Sequence, residues 1–273
     1  MKESAKDILA MLDHIDSINE VRNVIIKAPF SYVGNKRQIV KSLNDLMPLT
    51  GRFIDVFGGS GIVTINRTHQ KFEVFNDRNS GLIDCYRAIK DDLPAFLAKL
   101  AELPASRELW TLFKEADEHN YYGMNPLERA VAWFYMHQNS FGGKEDCFGR
   151  DLKTTGQPHN PRNAWKKISR RFANVMIENI PWEKCFTDFD APNSVFYCDP
   201  PYYGAKMYKH HFTNEDHIRL LDTIFSAEGS VFLSGYENDI YNEYPWDDKH
   251  YFPVYSTLSG KHISKEEVVW VKN

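Results

Sequence analysis

Arg52-Phe53-Ile54-Asp55-Val56-Phe57-Gly58-Gly59-Ser60-Gly61 is the stretch on which the fold turns. A short apolar run, Arg52 to Phe57, ends in a glycine-rich turn, and Ile62 to Arg67 continues with helical spacing. Phe72-Glu73-Val74-Phe75 is a second strand, ending in Asn76-Asp77. Glycines at a strand-to-helix turn let a ligand approach the backbone closely, and an acid after the next strand can accept hydrogen bonds from ribose hydroxyls. A nicotinamide site fits less well, because counting G-x-G-x-x-G from Gly59 puts the third glycine at Thr64. Taken alone the loop also reads as a structural turn. Asp55 would repel a pyrophosphate and suits a cationic ligand such as an amino-acid ammonium.

Outward from this unit, strand character returns at Ser194 to Cys198, Val231 to Ser234 and Glu267 to Val271. Helical spacing marks Arg37–Leu46, Leu82–Leu100, Arg107–Glu118, Pro126–Gln138 and Ala164–Val175. Strands alternating with helices predict an α/β fold with a mainly parallel sheet covered on both faces. The helical middle reads as an insertion, and Asn139 to Asn163 as a long polar loop of the kind that is often functional. Residues 5 to 24 place Ile8, Met11, Leu12, Ile15, Ile18 and Val21 on one helix face, a packing or dimer helix.

With 273 residues, 42% of them hydrophobic, the chain can bury one large core or a core plus a subdomain, which rules out general disorder. Its apolar runs are a few residues long, far below the roughly 20 that span a bilayer. Met1 to Asp7 carries acids and leads into an amphipathic stretch, a poor secretory signal, so a cytoplasmic setting is expected. Cys85, Cys147, Cys185 and Cys198 lack C-x-x-C spacing, which argues against a disulfide framework or zinc ribbon. None follows a proline, as the nucleophile for attack on cytosine carbon 5 typically would. The net charge of −4 conceals a reversal: Lys144 to Arg171 holds eight basic residues against three acids, a local +5 against −9 elsewhere. One face could therefore serve a polyanion.

The second constellation is Asp199-Pro200-Pro201-Tyr202, directly after a predicted strand. Ligands of open α/β sheets bind outside the carboxyl ends of the strands. Two prolines fix the backbone, so the Pro200 carbonyl points one way. A carboxylate and a rigid carbonyl can together accept both hydrogens of an amino group, and a tyrosine ring offers a face on which a base can stack. The tetrapeptide reads as a receptor for an exocyclic amine, with a rigid packing loop as the alternative.

At these residues the chain resembles the Dam-like family of adenine-N6 DNA methyltransferases. The resemblance covers roughly residues 27–90 and 180–273 and rests on motif order: Pro29 to Lys36, the Asp55 to Gly61 loop, Asn76-Asp77, Thr187-Asp188-Phe189, then Asp199 to Tyr202. It implies a Rossmann-like methyltransferase sheet over 27–90 and 180–273, a mainly helical target-recognition subdomain over 91–179, and an N-terminal extension over 1–26. It implies S-adenosylmethionine as cofactor, held by Tyr32, Lys36, Asp55, Phe57, Gly58, Gly59, Ser60, Gly61 and Asp77, with Asp188 and Phe189 flanking its adenine and Asp199 in contact. Asp199, Pro200, Pro201 and Tyr202 would hold the target base, flipped out of double-stranded DNA and stacked on Tyr202. Direct attack by the amine needs neither a metal nor a covalent intermediate. Lys144, Arg150, Lys153, Arg162, Lys166, Lys167, Arg170 and Arg171 are candidate DNA contacts, a solvated helix face being the alternative. The segment after Asn139-Ser140-Phe141-Gly142-Gly143-Lys144 departs from the family's hairpin, which argues against GATC as the site. A bacterial or phage origin is expected. Cytosine-N4, RNA or protein-glutamine methylation and a silent binding relic are the rival readings.

Overall fold

Short runs that are apolar on both faces can be satisfied only at the centre of a sheet covered from both sides. Four such runs pair in parallel, with a short edge strand beside them. The computed structural model describes residues 25–30, 32, 34–140, 147–149, 162–204, 212–258 and 261–273. The expected helix over 5–24 and the residues Lys144, Arg150 and Lys153 lie outside these.

In chain order the elements are α1 (Val40–Leu46), β1 (Arg52–Asp55), α2 (Ile62–Asn66), β2 (Phe72–Asn76), α3 (Ser80–Asp91), α4 (Leu93–Glu102), α5 (Arg107–Glu118), α6 (Pro126–Gln138) and α7 (Arg162–Phe172). There follow β3 (Met176–Glu178), α8 (Trp182–Phe189), β4 (Ser194–Cys198), α9 (Asn214–Ser226), β5 (Ser230–Gly235), α10 (Asp239–Asn242), β6 (Asp248–Leu258) and β7 (Lys261–Lys272). The seven-stranded sheet runs β3-β2-β1-β4-β5-β7-β6, with β7 antiparallel to β5 and to β6. Strand alternation sorts the core. Phe53, Val195, Tyr197 and Phe232 face Val40, Leu43, Ile62 and Val63 of α1 and α2. Ile54, Phe196, Val231 and Leu233 face Trp182, Phe186, Leu220 and Ile224 of α8 and α9. Phe186 stacks on Phe196 with ring centroids 4.5 Å apart.

Helices α3 to α7 form a further layer around an aromatic core shared with β2. Phe75 of β2 lies 4.7 Å from the Tyr86 ring, and Tyr86 stacks on Phe172 at 4.8 Å. Gly81 lets α3 and α6 touch, since a Cβ there would fall 2.5 Å from the Trp133 ring. The segment 91–179 thus shares its core with α3 and β2, and its last strand, β3, is hydrogen-bonded into the sheet beside β2.

The single helix expected over Leu82–Leu100 is two. Pro94 has no N–H to donate to the Lys90 carbonyl and its ring would clash with it, which ends the first helix, and Asp92 caps the second through the Ala95 N–H. Strand β3 is three residues long and β6 carries Pro253, which an edge strand tolerates. Arg171, expected to meet phosphate, is 8% exposed. Its guanidinium donates to both Glu73 oxygens at 2.6 and 2.8 Å and to the Arg67 carbonyl at 3.2 Å, pinning α7 to β2. Among the described residues no helix is long and apolar enough to cross a membrane.

Removing one partner of a buried, bidentate pair strands the other. Arg171→Met should therefore lower unfolding stability in urea by about 3–5 kcal/mol. Loss of DNA binding at an unchanged urea midpoint would return Arg171 to the DNA face.

Candidate active site

The strand order reverses at β1, whose neighbours β2 and β4 are followed by connections leading to opposite faces, and a crevice opens at their carboxyl ends. The cavity there is about 360 Å³, the size of a small-ligand site. The loop after β1 forms one wall. Gly58 N–H donates to the Asn76 carbonyl at 2.7 Å, and Gly59 N–H to Asp77 Oδ2 at 2.8 Å. Gly59 and Gly61 have φ of +49° and +67°, left-handed values that favour glycine. A Cβ at Gly61 would lie 2.5 Å from the Tyr86 hydroxyl, which itself donates to the Ser60 carbonyl. A side chain at either position would strain or close the cradle. Asp77 also accepts from the Asn79 N–H, so the backbone fixes its carboxylate at the rim of the cavity.

Asp55 sits behind this wall, 1% exposed. Its Oδ2 accepts from the Thr64 hydroxyl at 2.6 Å, while Oδ1 is buried without a partner among the described residues. Burial pushes this carboxyl up to about 7, against the pull of the Thr64 hydrogen bond. An orphaned, desolvated carboxylate oxygen favours a nearby positive charge.

The opposite wall comes from the turn between β3 and α8: Ile180, Pro181, Trp182 and Glu183. Asp188 and Phe189, expected here, are at the other end of α8. Phe189 packs 5.9 Å from Phe72, and its carbonyl accepts from Arg52, both at the amino ends of their strands. Asp188 is an exposed partner of Lys184. Six or seven residues of helix displace a side chain by roughly 10 Å, enough to move it from the site to the base of the sheet.

The residues after β4 close the cavity. Lys36 Nζ, 5% exposed, donates to Asp199 Oδ1 and Oδ2, both at 2.7 Å, to the Tyr202 hydroxyl at 2.5 Å and to the Gly34 carbonyl at 3.1 Å. Glu267 Oε1 stands 3.4 Å from the same nitrogen and accepts a hydrogen bond from the Tyr202 hydroxyl. Burial pushes Asp199 and Glu267 above the usual carboxylate range despite the lysine. Burial alone would lower Lys36, yet the two acids together raise it. Tyr202, expected to present an open face, is 9% exposed, with Tyr236 edge-on at 4.7 Å.

Tyr32, Lys36, Phe57, Gly58, Gly59, Ser60, Asp77, Asp199 and Pro201 all line the one cavity. Glu267, Trp182 and Tyr197 were not among the expected site residues, although Tyr197 directly precedes Cys198-Asp199 and the acid pair Glu266-Glu267 stands beside an apolar strand. Lys166 and Arg170 are exposed on α7, which starts at Arg162. No group of three or more His, Cys, Asp and Glu side chains among the described residues could hold a metal ion.

The sequence profile of the D12 class N6 adenine-specific DNA methyltransferases matches residues 32–265. The chain is 28% identical to the Type II methyltransferase M1.LlaDCHI of Lactococcus lactis subsp. cremoris over 74% of its own length and 77% of that protein. It is 25% identical to the Retron Ec67 DNA adenine methylase of Escherichia coli, covering 72% and 73%. A DNA adenine methylase of Vibrio cholerae matches at 22% over 64% and 65%.

Asp55 binds its proton more tightly folded than unfolded, so its contribution to stability is complete below its ordinary value of 3.8 and is lost as the pH rises through about 7. Urea unfolding should show Asp55→Asn gaining roughly 2–4 kcal/mol on the wild type between pH 4 and pH 8. Parallel profiles would mean that Asp55 is ionised and paired throughout.

Proposed function

The chain belongs to the D12 class N6 adenine-specific DNA methyltransferases, a family that acts on adenine in DNA, and from that premise we propose how its residues divide the work. S-adenosylmethionine occupies the cavity between the glycine loop and the Ile180–Glu183 wall. The Asp77 carboxylate takes the ribose hydroxyls, and Trp182 with Ile180 contacts the adenine of the cofactor. The negative field of Asp55, unpaired at Oδ1, favours the cationic methionine end. When bound, this cofactor supplies an electrophilic methyl on sulfur with a neutral leaving group.

The observation that carries the reading is the carboxylate of Asp199, followed by two rigid prolines, at the carboxyl end of β4 on the same cavity as Asp77. The lone pair of an adenine amino group is delocalised into the ring. Hydrogen bonds from its two N–H groups to Asp199 and the Pro200 carbonyl favour the pyramidal nitrogen that can attack. Positioning therefore matters more than acid-base strength. The paired duplex obstructs that nitrogen, so the base swings out of the helix. Because Tyr202 shows little of its ring, the half-exposed Tyr236 beside it contributes to the platform that receives the base. Exposed Lys166 and Arg170 on α7 contact phosphates of double-stranded DNA, together with Lys167.

Incubation with S-adenosylmethionine and unmethylated DNA, followed by mass spectrometry of nucleosides, should yield N6-methyladenine. Asp199→Ala should lower that yield by about two orders of magnitude or more, the scale on which a preorganised charged partner acts, while retaining the far-ultraviolet circular dichroism of the wild type. Full turnover in this variant would refute the amine receptor. Lys166→Glu with Arg170→Glu should weaken DNA binding and reduce the slope of log affinity against log salt by about two; an unchanged slope would move the DNA face elsewhere.

A further inference from the structure

We propose that Glu267 is a positioning residue for methyl transfer: it serves as the second counter-charge of Lys36, freeing Asp199 to accept an amino hydrogen of the target base. The inference rests on the reading of Asp199 as the amine receptor.

The argument begins with the hydrogens of one ammonium. Lys36 has three, and it meets both oxygens of Asp199, the Tyr202 hydroxyl and the Gly34 carbonyl. In this arrangement the Asp199 carboxylate is clamped on both oxygens and its charge is neutralised. It is then a poor acceptor for the weakly polar N–H of an adenine amine. Each carboxylate oxygen can still accept a second bond, but Asp199 becomes a strong acceptor for the amine only as Lys36 loosens its grip, and a buried ammonium cannot loosen it without another partner. Glu267 is that partner. Its Oε1 stands 3.4 Å from Nζ, and the Tyr202 hydroxyl already joins them by accepting from Lys36 and donating to Glu267. A shift of less than 1 Å converts the longer contact into a direct hydrogen bond.

Charge balance points the same way. One ammonium and two carboxylates make a buried cluster of net −1, costly unless some step uses the excess. In the transfer step the N6–C bond forms while the S–C bond breaks, its electron pair staying on sulfur. The cationic N6 then loses a proton, which Asp199 is placed to receive. Once Asp199 is protonated, Lys36 would be buried without a counter-charge but for Glu267. The acid comes from β7, 3% exposed, far along the chain from the lysine it serves. The ionisable groups facing it are Lys36, Asp199, Tyr202, Tyr197 and Tyr236; burial raises all three tyrosines and the two acids together raise the lysine, so of these groups the carboxyls are left to titrate in the working range.

The test compares Glu267→Gln and Glu267→Asp in the full-length enzyme with S-adenosylmethionine and duplex DNA. Glu267→Gln should lower kcat by about 100-fold, the scale of a misplaced reacting group, with the dissociation constant of S-adenosylmethionine changed by less than about threefold. The acidic limb of its kcat–pH profile should move to lower pH, because removal of one negative charge eases ionisation of Asp199. Glu267→Asp keeps the charge and should hold the limb near its wild-type position. In a Lys36→Met background Glu267→Gln should add little further loss, since the effect passes through the lysine. Wild-type kcat and limb in Glu267→Gln would overturn the proposal, as would an undiminished loss in the Lys36→Met background. If the glutamine variant does not fold, a limb displaced in Glu267→Asp overturns it. Failure of the underlying reading is recognised separately, as full turnover in Asp199→Ala whatever Glu267 does.

Discussion

Two strands that are far apart in the chain lie side by side, and the site depends on that pairing. β1 and β4 run in parallel register from Arg52 opposite Ser194 to Asp55 opposite Tyr197, and the Val56 N–H extends the ladder to the Tyr197 carbonyl. Parallel register has a geometric result that a hairpin lacks: both strands end at the same edge. The glycine loop and the Asp199 loop therefore emerge as neighbours, with the acid that ends β2 on the other side of β1. Side chains buried on both faces fix this register, because a slip by one residue would turn Phe53 and Val195 towards the face packed by α8 and α9. Core packing and the placing of functional groups are thus one constraint.

Around that edge, charged groups are buried rather than left in solvent. Asp55, Lys36 and Glu267 are each almost wholly buried. Such groups are expensive in a low dielectric and stabilise a fold poorly. Their cost is partly offset in pairs: the lysine with two acids, and Asp55 with a threonine hydroxyl. What remains uncompensated, one oxygen of Asp55 and one negative charge at the lysine cluster, lies around the cavity. That placement makes the site hospitable to a cation before any ligand arrives.

Much of this was legible in the sequence where a local signal existed. The bounds of Arg107–Glu118 and Pro126–Gln138 match their predicted ranges because Ser106 caps the first, while Asn125 and Glu128 make a capping box for the second. The glycine loop, Asp77 and Asp199 were legible because each follows an apolar run with turn chemistry. Features set by distant pairing were not. β3 is too short for periodicity, β6 is interrupted by Pro253, and Glu267 acquires meaning only when β7 is laid beside β5. Charge counting misassigned Arg171, since a count cannot separate the apolar side of α7, lined by Trp165, Ile168 and Phe172, from its solvated side. Asp188 and Phe189 were misplaced because the motif order fixes the helix but not which of its ends faces the ligand.

The shared aromatic core between the sheet and the helical layer bears on how such enzymes could be recombined. Tyr86 touches Phe75 of the sheet, stacks on Phe172 of α7 and holds the Ser60 carbonyl of the glycine loop, while Gly81 admits Trp133 of α6. A segment exchanged at residues 91 and 179 would leave half of this interlock behind and import a foreign half. Swapping of the 91–179 segment between relatives would then succeed only along seams that move α3 together with α6 and α7, so the unit of exchange is larger than that segment.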